Sequence, residues 1–183
     1  MNITDTPLAG LKVVRSLPHR DDRGSFERLF CAQDLQPLIG RRRIAQINHS
    51  KTTHAGAVRG LHFQYPPHAE MKMVRCLRGR VWDVAVDLRA GSPTFLQWYA
   101  QELTPEAATM IVIPEGFAHG LQALEPESEL LYLHTDFYHP PAEGGLRHDD
   151  PRLAINWPLA AQDVSPRDLA HPLLDDAFAG VTL

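Results

Sequence analysis

Val81-Trp82-Asp83-Val84-Ala85-Val86-Asp87-Leu88 alternates with a period of two, and its reading sets the fold. Trp82, Val84, Val86 and Leu88 fall on one face of an extended strand, with Asp83 and Asp87 on the other. Just before it, Met71 to Leu77 is a second strand candidate, and Arg78-Gly79 between the two is a hairpin signal. Working outward, further strands are expected at 11–14, 25–30, 43–50, 57–64, 97–103, 110–113, 117–124 and 129–136. About ten strands separated by turn signals predict an all-β antiparallel sandwich or barrel, not an alternating α/β fold. Helix is sparse. Ala32 to Leu38 predicts a short one, and Thr104-Pro105-Glu106 supplies an N-cap, a first-turn proline and an early acid for a single turn. Ser165 to Phe178 reads as loop plus short helix, and the Pro- and Gly-rich text after Tyr138 reads as a surface excursion.

A chain of 183 residues with 44% apolar and 22% charged residues is expected to form one domain, 1–183, with a real core. The net charge of -4 argues against a nucleic-acid partner, because phosphate binding usually shows as a basic excess. The one basic run, Arg41-Arg42-Arg43, reads as solvated surface. Cys31 and Cys76 are too few for a disulfide framework and read as small buried hydrophobes on strand interiors, in a reducing compartment. The first residues have neither a basic n-region nor an apolar h-region, and no apolar run approaches about 18 residues. No membrane association and a cytoplasmic location are expected.

The chemistry concentrates in Val58-Arg59-Gly60-Leu61-His62-Phe63-Gln64 and the following Lys72. A histidine as base, a cation for a developing enolate and an arginine for an anionic handle suit removal of a proton beside a carbonyl. A lone strand histidine is more often structural. His62, however, shares a face with Val58, Gly60 and Gln64, and Arg59 and Lys72 stand nearby in sequence. Burying such groups together without a function would be costly. Lys72 reads either as an edge-strand lysine that snorkels to water or as a cation aimed at an oxyanion. Tyr132 reads either as packed core or as an acid on the face opposite the base. Asp168 alone is an ordinary loop acid, and gains meaning only as a carboxylate that fixes the tautomer of His62.

His62 and the segment Pro114-Glu115-Gly116-Phe117-Ala118-His119-Gly120 resemble the two histidine-bearing segments of cupin barrels. Gln64 stands where metal-binding cupins carry a second histidine, and Glu70 falls out of register, so no catalytic metal and no cofactor are expected. His119 is then a hydrogen-bond or charge partner to a ligand. Asp22-Arg23-Gly24-Ser25-Phe26, Gln46-Ile47-Asn48-His49-Ser50, the His62 segment, Lys72-Met73-Val74-Arg75, Gly91-Ser92-Pro93-Thr94, the His119 segment and Asp149-Asp150-Pro151 together resemble the dTDP-4-dehydrorhamnose 3,5-epimerases. The likeness runs in order from about residue 10 to 175. It implies a jelly-roll (cupin) barrel, a homodimer, no metal, and inversion of C3 and C5 of a dTDP-4-keto-6-deoxyhexose. By position it implies His62 as base, Asp168 as its partner, Tyr132 as acid and Lys72 at the C4 oxygen. Arg23, Phe26, Gln46, Asn48, Arg59, His119, Tyr138, Glu143 and Arg167 would hold the nucleotide and sugar.

Three positions depart from the family pattern. Arg28 stands where a glutamate is common, with Glu27 one short. Phe137-Tyr138 replaces a tyrosine pair, and Leu133 replaces a lysine. These changes are expected around the sugar and nucleotide, and they leave open an enzyme that inverts one carbon only, or acts on a different deoxysugar. Readings of another class are a non-catalytic sugar-nucleotide-binding cupin and a metal-dependent cupin oxygenase.

Overall fold

The computed structural model describes residues 1–183. In chain order its strands are β1 (Asn2–Asp5), β2 (Lys12–Arg15), β3 (His19–Asp21), β4 (Gly24–Phe26), β5 (Gln46–Thr52), β6 (Val58–Gln64), β7 (Lys72–Arg78), β8 (Val81–Asp87), β9 (Trp98–Leu103), β10 (Thr109–Ile113), β11 (Phe117–Ala123), β12 (Ser128–His134) and β13 (Glu143–Gly145), with helices α1 (Ala32–Ile39) and α2 (Pro166–Leu169). A six-stranded sheet runs β1-β2-β10-β7-β12-β5 and a five-stranded sheet β13-β6-β11-β8-β9, while β3 and β4 form a separate hairpin. The two large sheets share one core. Val74, Ile111, Ile113 and Leu130 come from the first, and Val81, Ala85, Phe117 and Leu121 from the second. This is the expected all-β jelly-roll architecture, built as two facing open sheets whose ladders do not close into a barrel.

Both outer faces are covered, which makes the molecule thicker than its strand pattern implies. Leu35 and Ile39 of α1 pack with Met73, Met110, Val112 and Leu133 on the outside of the six-stranded sheet. On the five-stranded sheet, Val84, Val86 and Leu88 meet Leu146, Leu153, Ile155 and Val181 from the C-terminal segment. The segment after Tyr138 is therefore not a surface excursion. It returns as β13, which pairs with β6, and then as a packing layer. The apolar face of the opening motif points outward under this layer, and its two acids point into the interior, where both are fully buried. Burial alone would raise the pKa of Asp87. Hydrogen bonds from Arg89, Ser92 and Thr94 outweigh it and bring the group down to about 2.

Other differences are local. The strand expected at 25–30 stops at Phe26, because Glu27 is drawn to the buried Arg75 guanidinium at 2.7 Å. Cys31 is not on a strand. It precedes α1 at the N-cap, and only Cys76 is buried. Thr104 does cap its turn by accepting the Ala107 N–H at 3.1 Å, but Ala108 then takes φ 50° and no helix forms. No helix is long and apolar enough to cross a membrane.

Candidate active site

Between the sheets an apolar cluster of inward side chains gives way to a cavity lined by titratable ones. On the six-stranded sheet Tyr132 stands opposite Asn48 and Val74, and His134 opposite Lys72, so these side chains share the inner face. On the five-stranded sheet His62 stands directly opposite His119. Between them lies a cavity of about 250 Å³, lined by Asn48, Arg59, His62, Lys72, His119 and Tyr132 among others.

His62 is held by a carboxylate. Its Nε2 lies 2.7 Å from Asp168 Oδ1, and Asp168 Oδ2 accepts the Gly60 N–H at 3.1 Å. Asp168 sits on α2, whose N-cap Ser165 accepts the Asp168 N–H. Burial would raise the Asp168 pKa. The hydrogen bonds from His62 and Gly60 overcome that and hold it below the ordinary carboxylate range, so Asp168 is an anion at neutral pH. That anion fixes the proton on Nε2 and leaves Nδ1 with the lone pair. Gly60 is required here. Its φ is +103°, and a Cβ would come within 2.6 Å of the His119 carbonyl oxygen.

Lys72 belongs to an interior strand, not an edge, and is only 9% exposed. Its Nζ donates to the His62 carbonyl at 3.3 Å and lies 3.4 Å from Glu70 Oε1. Glu70 also meets His134 Nδ1 at 2.8 Å. Burial pushes the Tyr132 phenol well above its ordinary pKa, so it is a protonated donor at any physiological pH. Ser50 Oγ donates to the phenol oxygen at 3.2 Å, which leaves the phenol's own hydrogen to be directed elsewhere. His119 Nε2 lies within 3.0 Å of both oxygens of the fully buried Asp83. Burial raises the Asp83 pKa, against the pull of His119 and Lys72.

The remaining sequence-predicted residues divide into two groups. Asn48 and Arg59 reach the cavity, and Arg59 also borders a larger hollow of about 520 Å³ with Arg167 and Asp168. The Arg59 guanidinium is steadied by Thr52 Oγ1 at 3.0 Å and the Lys51 carbonyl at 3.1 Å. Gln46, Tyr138, Glu143 and Arg167 form a linked rim. Gln46 Oε1 accepts the Tyr138 N–H, the Tyr138 hydroxyl donates to Glu143 at 2.8 Å, and Glu143 pairs with Arg167. Arg23 and Phe26 are not brought to the cavity. They project from the β3–β4 hairpin, 90% and 70% exposed, with Arg23 paired only to Asp21.

The donors of a cupin-type metal site do not converge. The Gln64 amide donates to the His68 and Phe137 carbonyls and accepts the His139 N–H, while Glu70 and His119 are paired as above.

The family model described as dTDP-4-dehydrorhamnose 3,5-epimerase matches residues 5–176. The enzyme of that name from Salmonella typhimurium is 40% identical over 97% of this chain and 98% of that protein. The chain belongs to the dTDP-4-dehydrorhamnose 3,5-epimerase family. Among solved structures, the dTDP-6-deoxy-D-glucose-3,5-epimerase of Legionella pneumophila Philadelphia 1, in complex with dTDP-4-keto-L-rhamnose, is 40% identical. It superposes with a TM-score of 0.91 over 100% of this chain and 98% of that one. A dTDP-4-dehydrorhamnose 3-epimerase from Streptomyces niveus is 37% identical over 97% of this chain and 86% of that protein.

Set against the family, two departures lose their expected meaning. Leu133 lies in the buried cluster beneath α1, on the face away from the cavity. Glu27 is held by Arg75. Phe137 is at the surface, 66% exposed. Sequence reasoning missed Asp83, Glu70 and Ser50. Asp83 was visible as an acid on an alternating strand, and its burial was the part that could not be read. His171 follows α2, with its ring centroid 6.4 Å from that of His62. Burial and the neighbouring His62 hold its pKa down.

Proposed function

We propose that this chain is an epimerase that inverts C3 and C5 of a dTDP-4-keto-6-deoxyhexose, converting dTDP-4-dehydro-6-deoxyglucose to dTDP-4-dehydrorhamnose. One observation carries the reading: an imidazole backed by a carboxylate on one sheet faces a phenol and an ammonium on the other, across a single cavity. A sugar ring lying between the sheets has a base on one face and an acid on the other.

Both target carbons flank one ketone. His62 Nδ1 takes the proton from C3 and then from C5, and the charge passes to the C4 oxygen. Lys72 faces that oxygen. Tyr132 returns a proton from the opposite side, and the Ser50 hydroxyl supports the phenolate that results. Asp168 stabilises the imidazolium. His119, set by Asp83, adds a donor within the cavity. Each acid–base group contributes roughly 10² to 10⁴ in rate, and a preorganised oxyanion donor roughly 10² to 10³. The remainder falls to positioning by the diphosphate. Arg59, Asn48 and the rim of Gln46, Tyr138, Glu143 and Arg167 bind it and the nucleoside.

Arg23 and Phe26 serve the site from a second copy of the chain. The isolated β3–β4 hairpin, the unpaired edge of β5 and the exposed Ile47 on it support a homodimer in which hairpins are exchanged.

The test is incubation with dTDP-4-keto-6-deoxyglucose in heavy water, read by NMR. Deuterium at C3 and C5 is expected. Exchange at neither carbon overturns the reading, and exchange at C3 alone selects a 3-epimerase, an activity named for the Streptomyces niveus relative.

A further inference from the structure

We propose that His62, Asp168 and His171 form a binding site for a zinc-like divalent cation, and that an ion held there switches the catalytic base off. The inhibitory half of this rests on the role proposed for His62; the binding half does not.

Three observations place the site. One ligand atom from each of the three residues lies within 4.8 Å of the other two. His171 Nε2 is buried and has no hydrogen-bond partner, an unusual state for a polar atom beside a carboxylate. Its position depends on Gly145, which pairs with His62 across β13 and β6; a Cβ at Gly145 would fall 2.1 Å from His171 Nε2. The missing side chain therefore gives the ring its place next to the catalytic pair.

The donor set is two imidazoles and one ionised carboxylate, which suits zinc and leaves a fourth position for water. Zinc at about 2.0–2.1 Å from each donor holds them roughly 3.3 Å apart. The His62–Asp168 contact of 2.7 Å must open slightly and His171 must turn inward. The hollow of about 520 Å³ beside His62, Ser165, Arg167 and Asp168 gives an ion access. Binding displaces the proton on His62 Nε2. A ring already bound to a dication accepts a further proton at Nδ1 poorly, so proton abstraction stops.

The site is tested on the whole protein with Zn²⁺ alone, by calorimetry, and with Co²⁺, whose visible spectrum reports coordination. One equivalent is expected to bind, and deuterium exchange should fall at least tenfold and return with EDTA. His171→Gln should keep the basal exchange rate. Its Zn²⁺ affinity should fall by on the order of 10- to 100-fold or more, since even outer-shell changes have that effect. Mapping of histidine carbethoxylation by mass spectrometry gives a readout in the unaltered chain: bound Zn²⁺ should shield His62 and His171 out of the ten histidines. Absent binding, equal binding by His171→Gln, or shielding of other histidines overturns the site. Zn²⁺ bound through His171 with undiminished exchange would leave the site standing and count against His62 as the base.

Discussion

Replacing Asp168 by asparagine isolates the one thing the carboxylate does that an amide cannot. Asp168 faces two donors, the Gly60 N–H at 3.1 Å on Oδ2 and His62 at 2.7 Å on Oδ1. Asparagine has one oxygen. With the oxygen on His62, its NH₂ would meet the Gly60 N–H, donor against donor, so the oxygen must go to Gly60 and the NH₂ to His62. Nε2 then has to accept, and the ring proton moves to Nδ1, the atom that must take the proton from the sugar. In a serine-protease triad the same wrong tautomer lowers kcat by about 10⁴, or roughly 5 kcal/mol of barrier. A loss of that order is expected here in deuterium incorporation at C3, with folding stability close to wild type because both hydrogen bonds survive. Asp168→Ala should differ in kind. It leaves the buried Gly60 N–H unpaired, which costs about 1–3 kcal/mol of stability in a denaturant titration as well as activity. A rate for Asp168→Asn within tenfold of wild type, or equal destabilisation of the two variants, would refute the two-donor reasoning.

Tyr132→Phe should remove net inversion while leaving proton exchange on the His62 side, seen as deuterium retained without change of configuration; full inversion would show that another group is the acid. Asp83 is buried with both carboxylate oxygens against His119 Nε2, so Asp83→Asn, which weakens one partner of that buried contact, should cost about 1–3 kcal/mol of stability while lowering kcat through a loosened His119. Stability unchanged from wild type in a denaturation experiment would contradict this. The Asp87 pKa, about 2 in the folded state, lies below the value of about 3.9 for an unfolded chain. Its contribution, on the order of 2–3 kcal/mol, is therefore present above pH 4 and lost as pH falls towards 2. The stability gap between wild type and Asp87→Asn should close over that window, and a gap independent of pH would show that the Arg89–Ser92–Thr94 network is not its source.

The alternation of period two was enough to identify the sheets, because a strand between covered faces still separates its two sets of side chains. What it could not say was which face looks inward. Val84, Val86 and Leu88 are as apolar as any core residue, yet they face the C-terminal layer, while Asp83 and Asp87 face the interior. The decision was made by residues more than fifty positions away, Leu146 to Val181, which no local pattern connects to β8. For the same reason β1 and β13 were missed: each is a few residues long and is fixed by the strand it pairs with. The helices were readable because their signals are local. Ser165 starts α2 by accepting the Asp168 N–H, whereas α1 begins after Cys31 with no side-chain cap and is marked instead by Leu35 and Ile39 on one face.

The site was legible to the extent that its chemistry departs from what a strand otherwise tolerates. A histidine, a lysine and a tyrosine at inward positions cannot all be solvated, so their presence in apolar strands signals a shared cavity. The acids that make them usable carry no such signal. Asp168, Asp83 and Glu70 look like ordinary surface residues in the text, and each is defined only by the cation or imidazole it meets from another strand or helix. The same asymmetry separates Arg23 and Phe26 from the rest. Their hairpin pairs with nothing else in the chain and holds both side chains in water. Phe26, the most exposed large hydrophobe of the molecule, gains little from that position, and the hairpin exchange proposed above would cover it. If that exchange forms the proposed dimer, deleting residues 19–26 should abolish it in sedimentation equilibrium and weaken nucleotide binding together. Loss of one without the other would separate the hairpin from the site.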